Sequence, residues 1–149
     1  MNILFIFSIN EVESVNKPLY LQEQMQFGIS YISALLKQHN YHTDLLILSR
    51  QYGLKNKSIL KNYITEFMPD MICFTSVSSE FDFICRMGRY VKLEFPRIFL
   101  VIGGAHITLN PEVDLLKIFD ALCIGEGEYP VLELAYNIKN QRDVTGIPN

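Results

Sequence analysis

Three short stretches carry the residue types able to hold or transform a ligand: Thr75-Ser76-Val77-Ser78-Ser79, Gly103-Gly104-Ala105-His106 and Gly125-Glu126-Gly127-Glu128. The first offers neutral hydroxyls. The glycines of the other two let the backbone turn with φ > 0 and let a ligand approach the main chain. Glu126 and Glu128 admit three readings, in this order: capping of the helix that follows, whose dipole favours carboxylates; ligand contact through their backbone; and general acid–base chemistry. The first stretch begins at the last residue of a short, nearly all apolar run, 71–75, and the other two follow such runs at residues 98–102 and 121–124. Apolar runs without alternation are what strands covered on both faces look like. The three stretches then meet at one end of one sheet and form a binding edge.

The remaining elements must build that sheet. Residues 2–7 read as a first strand and 41–48 as a second, with 71–75, 98–102 and 121–124 as the third, fourth and fifth. Residues 26–38 are expected to form a helix with Phe27, Ile29, Ile32, Leu35 and Leu36 on one stripe, and Asn40 is its expected stop. A second helix covers 57–67 and is ended by Pro69, and a third covers about 80–94, with Ser79 as its expected cap and Pro96 beyond its end. Pro111 suits the first turn of a short helix to Lys117, and Pro130 opens a last helix to about residue 140. Residues 8–21 are polar, hold Pro18 and have no periodicity, so they read as a long first loop. Strand–helix alternation with short connections predicts an α/β fold: a flavodoxin-like (Rossmann-like) five-stranded parallel sheet of order 2-1-3-4-5 with helices on both faces. One domain, 1–140, and a polar tail, 141–149, account for the chain.

Composition removes several function classes. The chain has 149 residues, 49% hydrophobic and 19% charged, which excludes a disordered chain. A net charge of −3 without a Lys/Arg cluster argues against a nucleic-acid partner held through phosphates. No apolar run approaches the roughly 20 residues that span a bilayer. The start, MNILFIFSI, has no basic region and no small-residue cleavage site, so it reads as a strand, and a cytoplasmic location is the expectation. Cys73, Cys85 and Cys123 are odd in number and unrelated in spacing, and read as small buried residues. No CxxC pattern proposes a metal centre, and no metal ligand is assigned.

Flavodoxin-like sheets serve many functions, so the loops decide. A phosphoacceptor domain needs acidic residues after strand one and an aspartate at the end of strand three, where this chain has Ser8-Ile9-Asn10 and Thr75-Ser76. A flavin mononucleotide site needs a glycine- and hydroxyl-rich loop after strand one, yet residues 8–16 hold no glycine. GEGEYP lies after strand five and lacks the third glycine of a dinucleotide fingerprint. An edge of neutral hydroxyls and glycine turns suits a large, mostly apolar, amide-bearing ligand that needs close backbone approach.

The segments QFGISYISALLKQHNYHTDLL, MPDMICFTSVSS, VIGGAHIT and FDALCIGEGEYPVLEL resemble the N-terminal cobalamin-binding domain of B12-dependent radical S-adenosylmethionine (SAM) enzymes, over nearly the whole chain. The ending, DVTGIPN, resembles the segment that leads into the catalytic barrel of that family. The resemblance implies cobalamin as cofactor, with its nucleotide tail along the edge of strands three and four and the corrin over the strand ends. By position, Thr75 stands where related domains place the serine that hydrogen-bonds the tail base, and Ser76, Val77 and Ser78 line the tail groove. Gly103 and Gly104 leave room for the tail, Ala105, His106 and Thr108 stand at the mouth, and Gly125, Glu126, Gly127 and Glu128 flank the other side. Ser8, Ile9 and Asn10 of the first loop are further expected cofactor contacts, and the lower face of the cobalt is expected to be empty, water-bound or covered by a side chain from that loop. His106 is expected as a hydrogen-bonding partner near the tail rather than as a cobalt ligand, and His39 and His42 as surface residues away from the edge.

Two departures shape the expectation. The DxHxxG motif, whose histidine ligates cobalt in methionine synthase and the mutases, is absent: residues 8–16 hold no histidine. Cobalamin is then expected base-off, without a histidine from that loop. The CxxxCxxC motif that binds the 4Fe-4S cluster is also absent. The resemblance therefore places that cluster, S-adenosylmethionine and the radical SAM barrel in a downstream domain that is this module's partner. It implies methylcobalamin as methyl donor in the intact protein, with the reaction type left open. The competing expectation is a stand-alone regulatory or protein-interaction domain of the same fold that binds no cobalamin. A sensor of another corrinoid or a different bulky ligand is a third.

Overall fold

The computed structural model of the chain describes residues 1–9 and 26–148. Five strands, β1 (Asn2–Ile9), β2 (His42–Ser49), β3 (Met71–Thr75), β4 (Phe99–Gly103) and β5 (Ala121–Leu122), make one sheet in the order β2-β1-β3-β4-β5. Every neighbouring pair is parallel. The expected flavodoxin-like sheet and its strand order are those observed. The helices are α1 (Phe27–Gln38), α2 (Lys55–Phe67), α3 (Phe81–Glu94), α4 (Ala105–Leu109) and α5 (Glu128–Lys139).

Period-two alternation along the central strands splits the core into two layers. Leu4, Ile6, Ile72, Phe74, Leu100 and Ile102 point to one face, where Leu60 and Ile64 of α2 and Ile84 and Val91 of α3 cover them. Ile3, Phe5, Phe7, Met71, Cys73 and Val101 point to the other, under Ile29 and Leu36 of α1 and Val131, Leu134 and Ala135 of α5. Both faces need apolar residues, which is why these strands read as unbroken apolar runs. Burying each Leu, Ile or Phe fully contributes about 1.5–3 kcal/mol. Asn40, a residue type that tolerates the left-handed region, takes φ +60° just beyond α1, whereas Met68, which the sequence does not mark for it, takes φ +49° between α2 and Pro69.

Several boundaries differ from expectation. Ser8 and Ile9 were expected in the first loop but extend β1, because β2 runs far enough to pair them with Leu48 and Ser49. Asn10 and the rest of the expected loop lie outside the described residues. Ala105 and His106, expected in a turn, open α4, and the helix expected from Pro111 is a 3₁₀ segment, Val113–Lys117. Only Ala121 and Leu122 of the expected fifth strand join the ladder. Glu80, not Ser79, occupies the capping position of α3, and no side chain closes that cap. Pro130 is the third residue of α5, which begins at Glu128. Val144 and Ile147 of the tail pack against the α1/α5 side of the core. No helix among the described residues is long and apolar enough to cross a membrane.

Candidate functional site

In a parallel sheet all strands end on the same edge, so the turns after β3, β4 and β5 are neighbours. Thr75 and Gly103 are paired at the ends of β3 and β4. The Ser76 N–H donates to the Gly103 carbonyl at 3.1 Å, and the His106 N–H donates to the Ser76 carbonyl at 3.2 Å. Gly104 lies between them at φ +96°, and a Cβ there would stand 2.4 Å from Thr75 Oγ1 and 2.9 Å or less from the Ser76 backbone. The Thr108 hydroxyl joins the second turn to the third: it donates to the Gly104 carbonyl at 3.1 Å and accepts from the Gly125 N–H at 3.0 Å. Three turns are thereby held as one unit.

That unit walls a cavity of about 290 Å³ at the carboxyl ends of the strands. Of the residues expected at the site, Ser8, Thr75, Ser76, Val77, Gly103, Gly104, Ala105, Gly125, Glu126, Gly127 and Glu128 line it. Ile9, Ser78, His106 and Thr108 do not, and Asn10 lies outside the described residues. Thr108 supports the turns from behind. His106 stacks on Phe81 with ring centroids 4.0 Å apart, and its Nδ1 lies 3.0 Å from Ser78 Oγ. His39 follows α1, and His42 begins β2 beside Asn2, at the opposite edge of the sheet.

The room expected at Gly103 and Gly104 is taken by protein. A Cβ on Gly103 would meet Cys123 at 3.1 Å, and one on Gly104 would meet the Thr75–Ser76 turn. These glycines let the turns pack on each other. Open space lies instead at Gly28 and Gly125, where an added Cβ meets nothing within 4 Å.

Sequence reasoning missed two parts of the lining. Phe7, Ile29, Ile32 and Val131 give an apolar wall between α1 and α5, for which the helical stripe of α1 was the available signal. The other part is Glu80, only 4% exposed, which also lines the cavity. Its Oε2 accepts a 2.7 Å bond from the Ser8 hydroxyl, and its Oε1 lies 3.5 Å from Arg50 Nη1. Three side-chain atoms around this turn are enclosed without a hydrogen bond: Ser76 Oγ, Glu80 Oε1 and His106 Nε2. The cavity also takes in Cys73 and Cys123. Burial pushes the Cys73 thiol up, and burial followed by the charges of Glu128 and Glu126 does the same to Cys123. Neither thiol is primed as a nucleophile.

Chemically the site offers main-chain groups, hydroxyls, one buried carboxylate and an apolar wall. No group of three His, Cys, Asp or Glu side chains among the described residues is arranged to hold a metal ion. Glu128 lies in the first turn of α5, where a carboxylate complements the helix dipole, but Gly127 holds the capping position and no side chain closes that cap.

Comparison with known proteins agrees with this architecture. The family model described as the B12 binding domain matches residues 20–135. An uncharacterized methyltransferase of Pyrococcus horikoshii is 25% identical over 122 residues, covering 80% of this chain and 26% of that protein. The chain thus spans about a quarter of that relative's length. A cobalamin-binding protein from Desulfitobacterium hafniense DCB-2 shares the fold at a TM-score of 0.62 and 10% identity, over 92% of this chain and 58% of that one.

Proposed function

The chain belongs to the B12 binding domain family, and from that premise we propose that it is the cobalamin-holding module of a larger B12-dependent enzyme. The observation that carries the proposal is the cavity at the carboxyl edge of the sheet, walled by the three interlocked turns and by Ile29, Ile32 and Val131. At about 290 Å³ it is at the lower end of small-molecule pockets, which run to about 1,000 Å³, so it suits one arm of a large cofactor rather than the whole. The nucleotide tail is that arm.

The residues present fit it. The apolar wall suits the flat faces of an aromatic base, and the open sides of Gly28 and Gly125 leave room for the arm. Thr75 and Ser76 bring hydroxyls to the cavity wall, and the oxygen of Ser76 has no partner of its own. Ser8, Val77, Gly103, Gly104, Ala105 and the 125–128 turn complete the enclosure in this reading, with Ser78, His106 and Thr108 holding its rim. Bound cobalamin supplies a cobalt centre able to carry a methyl group. The protein's part is to hold the tail, shield it from water and fix the ring against the next domain.

A tail held inside the sheet edge would leave its base off the cobalt. His39 and His42 stand at the far edge and His106 turns its ring to Phe81, so none of them is placed to take the base's position on the cobalt. The methyltransferase name of the Pyrococcus horikoshii relative, and that protein's greater length, support methyl transfer by an intact enzyme with a further domain. A radical SAM barrel, with its 4Fe-4S cluster and S-adenosylmethionine, is our proposal for that domain, on the resemblance of the chain's motifs. The test is sequencing and purification of the longest natural product of the gene. A CxxxCxxC motif beyond Asn149, with iron and corrinoid in the purified protein, is the expected result. Corrinoid without iron would remove the radical SAM part, and iron without corrinoid the cobalamin part.

A further inference from the structure

The cobalamin reading leaves Glu80 without a task, and a buried carboxylate needs one. It is 96% shielded, at the first turn of the connection after β3, and it lines the cavity beside Ser8 and Ser76. An ionised carboxylate can accept about four hydrogen bonds. Glu80 accepts one, from Ser8, while Oε1 has Arg50 at ion-pair distance and no hydrogen bond. Arg50 Nη1 itself donates to the Ser79 carbonyl at 3.1 Å. Nearby, the oxygen of Ser76 is equally unpaired. Unfilled acceptors away from water cost free energy, and a ligand that brings an N–H or O–H recovers it.

Resting on the cobalamin reading, we infer that Glu80 makes the cavity selective for corrinoids whose lower base carries a hydrogen-bond donor. Dimethylbenzimidazole presents methyl groups and ring C–H on its outer edge, and so leaves Glu80 as it is. Adenine brings an exocyclic amine and 5-hydroxybenzimidazole a hydroxyl. Either donates to the carboxylate, and the Ser76 hydroxyl donates to a ring nitrogen. A site built around a buried polar group discriminates strongly against the analogue that lacks the matching group. A bond to a charged acceptor corresponds to a preference of about tenfold or more. The same donor chemistry exists in the amides of the corrin ring, which all cobamides share, so the base and the ring must be separated by experiment.

The experiment titrates the full chain, by intrinsic fluorescence, with the dicyano forms of adeninyl cobamide, 5-hydroxybenzimidazolyl cobamide, cobalamin and cobinamide. Cyanide on both faces of the cobalt keeps every base off the metal, so base affinity for cobalt does not enter. The expected result is that the two donor-bearing cobamides bind about tenfold or more tightly than cobalamin. In Glu80→Met the preference among the three cobamides disappears, and Glu80→Gln retains an intermediate preference. Equal affinity of the native chain for the three cobamides overturns the inference while leaving the cobalamin reading intact. A Glu80→Met loss shared by all four ligands, cobinamide included, overturns it too, by assigning the carboxylate to the ring amides or to the fold. Failure to bind any corrinoid overturns both readings. The native-chain series decides even where a variant does not fold.

Discussion

Gly104→Ala tests whether the edge is built from interlocked turns. Gly104 has φ +96° and ψ −179°, a region occupied almost only by glycine, and placing another residue there costs about 1–3 kcal/mol. The new methyl group would stand 2.4 Å from Thr75 Oγ1, 2.8 Å from the Ser76 oxygen and 2.9 Å from the Ser76 nitrogen. Two of those atoms are backbone and cannot swing aside, so overpacking adds about 1–3 kcal/mol. The sum, about 2–6 kcal/mol, is a large part of the 5–15 kcal/mol by which domains of this kind are stable. In urea, with a slope of about 2 kcal/mol per molar, a loss of about 4 kcal/mol lowers the unfolding midpoint by about 2 M. Far-UV circular dichroism reads the midpoint directly. A Gly104→Ala protein within about 0.3 M of the native midpoint would refute the packing described for this turn.

Other perturbations isolate single features. Thr108→Val keeps the shape and removes both bonds that tie the second and third turns, so stability falls by about 1–2 kcal/mol in the same urea assay. An unchanged midpoint would mean that the hydroxyl does not join them. Gly28→Ala places a methyl in open space within α1 and raises stability by about 0.5–1 kcal/mol, whereas Gly28→Trp, equally free of clashes at Cβ, fills the cavity and abolishes corrinoid binding in the fluorescence titration. Binding by the Trp variant at native affinity would place the ligand elsewhere. Burial, then the 2.6 Å bond to Asp44, pushes the Tyr63 hydroxyl up from 10 to about 12. Because the folded value is the higher, this contribution to stability is complete below pH 10 and is lost as pH rises from 10 through about 12. Tyrosinate absorbance should show Asp44→Asn lowering that value while burial keeps it above 10. Identical titration curves would remove Asp44 as a cause.

The sheet was legible because its chemistry is local. Strands covered on both faces need unbroken apolar runs, and residues 71–75 show one with the observed bounds. The ends of elements were harder, because neighbours set them. Ser8 breaks an apolar run in the sequence, yet pairing with β2 carries the strand through Ile9. α4 has five residues, too few to show a helical stripe. Glycine-rich turns announced the edge, but a sequence does not tell whether the absent Cβ faces a ligand or another turn. At Gly103 and Gly104 it faces another turn. Glu80 was invisible for a related reason: at a helix start it reads as a surface carboxylate, and only folding brings it to Ser8, 72 residues away.

The most direct test of the cobalamin reading is retention of hydroxocobalamin by the purified chain through gel filtration, followed by the visible spectrum of the protein fraction. A retained corrinoid with a base-off spectrum, lost in Gly28→Trp, is the expected result. Protein that elutes colourless, at high ligand concentration and again after chemical reduction of the cobalt, would contradict the claim that this chain holds cobalamin in the cavity at its sheet edge.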